Sequence, residues 1–173
     1  MESKHTYYIA LGSNLGDRYA SLQSAVEFCF LEIGPIEKLS RIYECEAQGF
    51  VGPSFYNACI ALQSKLSPKQ VLDKLLLFEI QGGRQRNREN YTSRSIDLDI
   101  LMVDDLVVEN KNLIIPHPKM HLRDFVLRPL SDIAPELVHP KLDCSTKELL
   151  SQLGQTSNLE LVNLWLKNPS DRY

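Results

Sequence analysis

The 173-residue chain has no C-x-x-C pair and no histidine at zinc-finger spacing from its cysteines. Cys29, Cys45, Cys59 and Cys144 are widely scattered, so they are expected as core or loop thiols of a reducing cytosol rather than as disulfides or zinc ligands. No apolar run reaches membrane-spanning length. There is no excess of basic residues either: 19 Lys and Arg stand against 22 Asp and Glu, a net charge of -3, which argues against general binding to nucleic acid or to an anionic membrane. No secretory signal is read, because Met1-Glu2-Ser3-Lys4-His5 leads straight into Tyr7-Tyr8-Ile9-Ala10-Leu11 without an h-region or a cleavage site, and a cytoplasmic location is expected. Neither G-x-G-x-x-G nor a Walker A sequence occurs. With no repeat, linker or low-complexity stretch, residues 1–173 read as one domain, expected as a monomer.

What is present is a strand with two acids on one side. In Arg94-Ser95-Ile96-Asp97-Leu98-Asp99-Ile100-Leu101-Met102-Val103, apolar Ile96, Leu98, Ile100 and Met102 alternate with Asp97, Asp99 and Leu101, the period-2 pattern of a strand with a buried face. Asp97 and Asp99 then point the same way, roughly 6.5 to 7 Å apart at Cα, close enough to converge on one ion and to repel if nothing lies between them. Asp is a poor strand former, so the pair reads either as a functional site or, more plainly, as a solvated strand face. Just upstream, Arg84, Arg86, Arg88 and Arg94 crowd a stretch with almost no apolar residue. Guanidinium groups bind phosphate oxygens bidentately, and carboxylate pairs suit Mg²⁺ shared with substrate phosphates. Together they point to a polyphosphate, its metal and phosphoryl-type transfer, against a solvated loop whose arginines pair with surface acids. Residues 82–93 are further expected to be mobile in the free protein and to order over a bound triphosphate and its metal.

Around this stretch the pattern predicts a strand over Tyr7–Leu11 and a capped turn at Gly12-Ser13-Asn14-Leu15-Gly16-Asp17. A helix follows with Leu22, Ala25, Val26, Cys29, Phe30 and Ile33 on its core face. Strands are predicted over Ile36–Tyr43 and Tyr56–Gln63, separated by a segment too long for a tight hairpin, of the kind that often binds ligands. Ser67-Pro68-Lys69-Gln70 is a capping box with proline at the first helical position, and it opens a helix closing at Gly82. Short strands at Leu106–Val108 and Leu113–Ile115, a helix over Met120–Leu130 and a second capping box at Ser145-Thr146-Lys147-Glu148 complete the reading. The order β-α-β-β-α-β is that of an α+β, ferredoxin-like antiparallel sheet. RNA-binding modules share this order, but they stack bases on aromatic residues of the central strands, where this chain's last strand carries Asp97 and Asp99.

These residues resemble the 6-hydroxymethyl-7,8-dihydropterin pyrophosphokinase family. The resemblance runs through Tyr8-Ile9-Ala10-Leu11-Gly12-Ser13-Asn14-Leu15-Gly16, Phe55-Tyr56-Asn57-Ala58, Glu79-Ile80-Gln81-Gly82-Gly83-Arg84 and Arg94-Ser95-Ile96-Asp97-Leu98-Asp99-Ile100-Leu101. It continues in Pro116-His117-Pro118 and Arg123-Asp124-Phe125-Val126-Leu127. It implies an α/β/α sandwich, and transfer of the β,γ-diphosphate of ATP to a pterin hydroxymethyl group in folate biosynthesis. By the same resemblance Asp97 and Asp99 would hold two Mg²⁺ ions, and Arg84 and Arg94 would stabilise the transferring group. Glu79, Arg86, Tyr91, Ile100, Pro116, His117, Pro118 and Arg123 would contact ATP. The pterin would stack between Phe55 and Phe125, read by Asn57 and by backbone groups of Cys45, Glu46, Ala47 and Gln48. The chain departs from the family pattern at Cys45-Glu46-Ala47, where Thr-Glu-Pro or Thr-Pro-Pro is usual, and at Asn90, Thr92 and Asn112. A two-metal nuclease, another nucleotide transferase and an RNA-binding module stand as the competing readings.

Overall fold

The computed structural model describes residues 3–82 and 95–172. In chain order it contains β1 (His5–Ser13), α1 (Arg18–Glu32), β2 (Ile36–Leu39), β3 (Tyr43–Cys45), β4 (Phe55–Ser64), α2 (Pro68–Gln81), β5 (Asp97–Val103), β6 (Val108–Glu109), β7 (Ile114–Ile115), α3 (Asp124–Ile133), β8 (Val138–His139), β9 (Cys144–Ser145), α4 (Thr146–Leu153) and β10 (Glu160–Leu161). A 3₁₀ turn, Met120–Leu122, leads into α3. The main sheet has the order β10-β3-β4-β1-β5, with β2 also paired to β4, and every pair in it is antiparallel.

The central strands alternate between two cores. On β1, Tyr7, Ile9 and Leu11 face the layer of α1 and α2, together with Leu22, Ala25, Val26, Cys29, Val71 and Leu75. Tyr8 and Ala10 face the layer of α3 and α4, with Val126, Leu127, Leu130 and Leu149. The result is the α/β/α sandwich on a ferredoxin-like sheet. Because both faces of β4 are covered, it is buried almost end to end, which explains its nearly unbroken apolar sequence.

Local chemistry fixes the helix starts as expected. Ser67 Oγ accepts from the Gln70 N–H while Gln70 Oε1 accepts from the Ser67 N–H at 2.8 Å, and Ser145 with Glu148 forms the same reciprocal pair on α4. Asp17 Oδ1 accepts from the Ala20 N–H at 2.9 Å and so starts α1.

Several boundaries differ from the sequence reading. The strand predicted over Ile36–Tyr43 is two strands, because Ser40 inserts its hydroxyl into the ladder and accepts from the Cys59 N–H at 2.8 Å. Gly12 and Ser13 belong to β1 rather than to the turn. The helix predicted over Met120–Leu130 is a 3₁₀ turn followed by α3, with the extended backbone of Arg123 between them. A register shift between Tyr8 and Ile9 interrupts the β1–β5 ladder. As with any bulge, it upsets strict alternation, so Met102 joins Leu101 on the α3 face while Ile96, Leu98 and Ile100 stay on the other.

Candidate active site

At one end of the sheet the α3 layer stops short and leaves a cavity of about 560 Å³. Its floor follows from the register of three strands. Gly12 of β1 lies opposite Asn57 on β4 and opposite Asp97 on β5, and Ala10 lies opposite Cys59 and Asp99. Two rows thus cross the sheet with small residues in the middle and polar groups to the sides. A Cβ on Gly12 would come within 3.6 Å of Asn57 Oδ1 and 3.7 Å of a Phe55 ring carbon, so the missing side chain keeps the centre of this floor flat. Asp97 and Asp99 are both half-buried, alternating with buried Ile96, Leu98 and Ile100, and both line the cavity. The predicted common face is therefore observed.

The walls gather the aromatic and amide groups that the resemblance singled out. Phe55 and Phe125 line the cavity from β4 and α3. Asn57 is buried, and its amide donates to Cys45 Sγ at 3.2 Å and to the Tyr43 carbonyl at 3.4 Å. Burial pushes the Cys45 thiol up to about 11, with the Asn57 bond working in the opposite direction, so at neutral pH this thiol is protonated and not a nucleophile. Glu46 and Gln48 line the mouth, whereas Ala47 between them does not. The stems of the segment that carries them are pinned from α1 and the turn before it. Arg18 Nη1 donates to Glu44 Oε1 at 2.6 Å and to the Ser54 carbonyl at 2.8 Å, its guanidinium lies 3.8 Å from the Tyr56 ring centroid, and Asn14 donates to the Pro53 carbonyl at 3.0 Å.

On the side of the acids, His117, Pro118 and Arg123 line the cavity while Pro116 is buried beneath them. The His117 N–H donates to the Leu101 carbonyl at 2.8 Å, tying this segment to the strand of the two aspartates. His117 Nδ1 accepts from the Lys119 N–H at 3.1 Å, which leaves Nε2 as the protonated nitrogen. Burial foremost, then the Arg123 charge, push its pKa from 6.5 to about 4, against the opposing pull of Asp97. The imidazole is therefore neutral at pH 7.

That shift has a consequence for stability. Between about 6.5 and about 4 the unfolded chain binds a proton that the folded chain does not, so stability contributed by neutral His117 is lost as pH falls through this window. Thermal melts of the ligand-free protein at pH 7.5 and pH 5 are expected to show a larger drop for the natural protein than for His117→Asn. Parallel drops would refute the assignment.

Two predicted residues lie elsewhere. Ile100 is buried on the opposite face of the sheet. Glu79 is buried in α2 behind β5, where Glu79 Oε1 accepts from the Leu98 N–H at 2.7 Å. Because among the described residues β5 pairs only with β1, that N–H faces the strand's outer side, and the carboxylate fixes the backbone between Asp97 and Asp99. Arg84, Arg86, Tyr91 and Arg94 lie outside the described residues, as does the segment expected to close over ATP apart from Gly82.

Sequence reasoning missed Phe50 and Lys119, which also line the cavity. Phe50 packs edge-on against Phe55 with ring centroids 6.2 Å apart, and its signal was there as the sole aromatic between Cys45 and Ser54. Lys119, directly after Pro118, adds a cation beside His117.

The donor chemistry fits a hard divalent cation. Among the described residues no group of three or more His, Cys, Asp or Glu converges on a metal site, so a closed protein cage is absent there. Two carboxylates facing an open cavity are the set that Mg²⁺ uses when phosphates and water complete its shell.

The family model for 7,8-dihydro-6-hydroxymethylpterin-pyrophosphokinase (HPPK) matches residues 8–135. The 2-amino-4-hydroxy-6-hydroxymethyldihydropteridine pyrophosphokinase of Porphyromonas gingivalis is 44% identical over 138 residues, covering 78% of this chain and 93% of its own. The enzyme of the same name from Aquifex aeolicus is 40% identical over 138 residues, covering 78% and 84%. Among solved structures, the Plasmodium falciparum HPPK-DHPS chain with pteroate superposes with a TM-score of 0.70 at 17% identity, over 87% of this chain and 42% of that one. This chain thus spans less than half of that solved chain, and the likeness shows the fold. A family match across most of the chain, with relatives this similar over nearly their whole length, establishes that the chain belongs to the 7,8-dihydro-6-hydroxymethylpterin-pyrophosphokinase family.

Proposed function

We propose that this cavity transfers the β,γ-diphosphate of ATP to the hydroxymethyl group of 6-hydroxymethyl-7,8-dihydropterin and releases AMP. The chain is a pyrophosphokinase of folate biosynthesis, and ATP is its co-substrate. One observation carries the assignment of the site: the carboxylate pair Asp97 and Asp99 and the flat-ring group Phe55, Asn57 and Phe125 line the same cavity. Acids and arginines alone would equally serve a nuclease or another nucleotide transferase. An aromatic and amide site beside them favours a planar heterocyclic acceptor.

In this reading the pterin lies on the floor at Gly12 between Phe55 and Phe125, and Asn57 reads its hydrogen-bonding edge. Asp97 and Asp99 would hold two Mg²⁺ ions, which when bound supply neutralisation of phosphate charge and alignment of the triphosphate. His117, Pro118 and Arg123 flank the ATP side, Arg123 as a cation toward phosphate oxygens. Arg84, Arg86, Tyr91 and Arg94 are proposed to contact ATP on the strength of the family resemblance. Glu79 and Ile100 are proposed as ATP contacts on the same resemblance, and Glu79 also fixes the backbone between the two aspartates from behind the strand. The hydroxymethyl oxygen forms a bond to the β-phosphorus, the bond from that phosphorus to the oxygen shared with the α-phosphorus breaks, and the hydroxyl proton passes to solvent. Orientation of the two substrates accounts for much of the rate, since holding reactants in line removes the entropy of encounter.

The partners in this reading are small molecules, not nucleic acid. No helix of the described residues is long and apolar enough to cross a membrane. A monomer in the cytoplasm is proposed. The test mixes protein, ATP, Mg²⁺ and reduced pterin and follows AMP by chromatography. AMP formed in step with pterin diphosphate is expected, whereas AMP formed without pterin, or none at all, overturns the reading.

A further inference from the structure

We propose that Asp124 is a positioning residue and that the C-terminal segment it grips is a brace between the two walls of the pterin pocket. Asp124 is the first residue of α3, between Arg123 and Phe125, which both line the cavity. It is 2% exposed, and neutral donors hold it. Its Oδ2 accepts the N–H groups of Thr156 at 2.8 Å and Ser157 at 2.7 Å, and its Oδ1 accepts the Ser157 hydroxyl. Burial raises the carboxyl's pKa, but these bonds together outweigh it and hold the group below its ordinary value, as expected of a carboxylate that accepts several N–H donors.

The same segment then crosses to the opposite wall. Glu160 and Leu161 form β10 and pair with Glu44 and Tyr43 of β3, and the Val162 N–H donates to the Ile42 carbonyl at 2.9 Å. β3 is the strand whose Tyr43 carbonyl and Cys45 thiol hold the Asn57 amide. Seven residues, 156–162, therefore tie the backbone beside Phe125 to the strand that orients Asn57. The other end of α3 has its own tie to the same region, since Asp132 accepts from the Tyr43 hydroxyl and the Arg41 N–H. The brace is thus an attachment at the end of α3 nearest the cavity. It is built by residues beyond 135, where the family-model match ends.

A ring that stacks between Phe55 and Phe125 senses their spacing directly, because dispersion contacts weaken within a fraction of an ångström. Loosening the Asp124 end of α3 should therefore weaken pterin binding through Phe125. The proposal rests on the reading of this cavity as the pterin pocket, and the experiment separates the two. Asp124→Asn turns an NH₂ toward donors that need an acceptor. Ser157→Ala removes one donor and leaves both backbone bonds, and Val162→Pro deletes the N–H on the β3 side. Each variant, Phe125→Ala and the double variant Asp124→Asn/Phe125→Ala are titrated with reduced pterin by calorimetry, in the presence of a non-hydrolysable ATP analogue and well below their melting temperatures.

About tenfold weaker pterin binding is expected for Asp124→Asn, and about two- to threefold for Ser157→Ala and for Val162→Pro. The double variant should lose less than the product of its two single losses, because Asp124 acts through Phe125. Unchanged pterin affinity in Asp124→Asn, or fully multiplicative losses, with Phe125→Ala itself weakened, overturns the brace and leaves the pocket standing. Unchanged affinity in Phe125→Ala overturns the pocket. If Asp124→Asn does not fold, Ser157→Ala and Val162→Pro decide: lower melting temperature with pterin affinity unchanged in both refutes the proposal.

Discussion

Asp97→Asn or Asp99→Asn is expected to reduce AMP release by on the order of a thousandfold or more while the protein stays folded. The amide has the size of the carboxylate, both positions are only half-buried, and the strand is held by its ladder to β1 and by Glu79, so the substitution is expected to leave the strand in place. The site does require it in the proposed reading. A neutral amide oxygen is a poor ligand for a hard divalent cation. Bound metal contributes several kcal/mol of transition-state charge stabilisation, and about 1.4 kcal/mol is a factor of ten in rate. Circular dichroism and a thermal melt establish folding, and a coupled assay measures AMP. Turnover within tenfold of the natural protein for either variant would remove Asp97 and Asp99 from the metal assignment.

Phe125→Ala is expected to weaken pterin binding about tenfold or more with little change for ATP. The ring contributes one face of the proposed stack, and stacked aromatic pairs are worth about 0.5–1.5 kcal/mol beyond the area they bury. The backbone at 125 keeps its place in α3, and the floor at Gly12 is untouched. Arg123, one residue away, sits 5.7 Å from the Phe125 ring centroid, so a small effect on ATP through that guanidinium is consistent with the reading. Calorimetry with each ligand separately decides it. Equal losses for both ligands would mean that the flat-ring site lies elsewhere.

The acid pair was legible because period-2 alternation is a local property: five consecutive residues, Ile96 to Ile100, state which side each one takes. Both capping boxes were legible for the same reason, as the reciprocal bonds of Ser67 with Gln70 and Ser145 with Glu148 span only three residues. What could not be read depends on distant partners. Ser40 splits the second strand through a bond to Cys59. β8, β9 and β10 are two residues each, too short to show any period. The C-terminal segment has no legible motif because backbone groups make most of its attachments, and these carry no side-chain signature. The Gly12 floor was hidden because its effect is an absence, visible only once β4 and β5 lie on either side. Which face Ile100 takes is likewise invisible in the motif, since its side chain packs into the core on the face of the sheet opposite the cavity.

Glu79's bond to the Leu98 N–H also bears on how the protein behaves at high concentration. Among the described residues β5 is the boundary strand of the sheet, and five of its seven residues are apolar, the composition that favours pairing with a second chain. A boundary strand recruits such a partner through outward N–H and C=O groups. At Leu98 the outward donor is already taken by a buried carboxylate from the same molecule, and the two aspartates on either side carry charge that a neighbouring strand would have to approach. The strand that carries the two aspartates is thereby guarded against self-association at Leu98 by the bond that also fixes its backbone there.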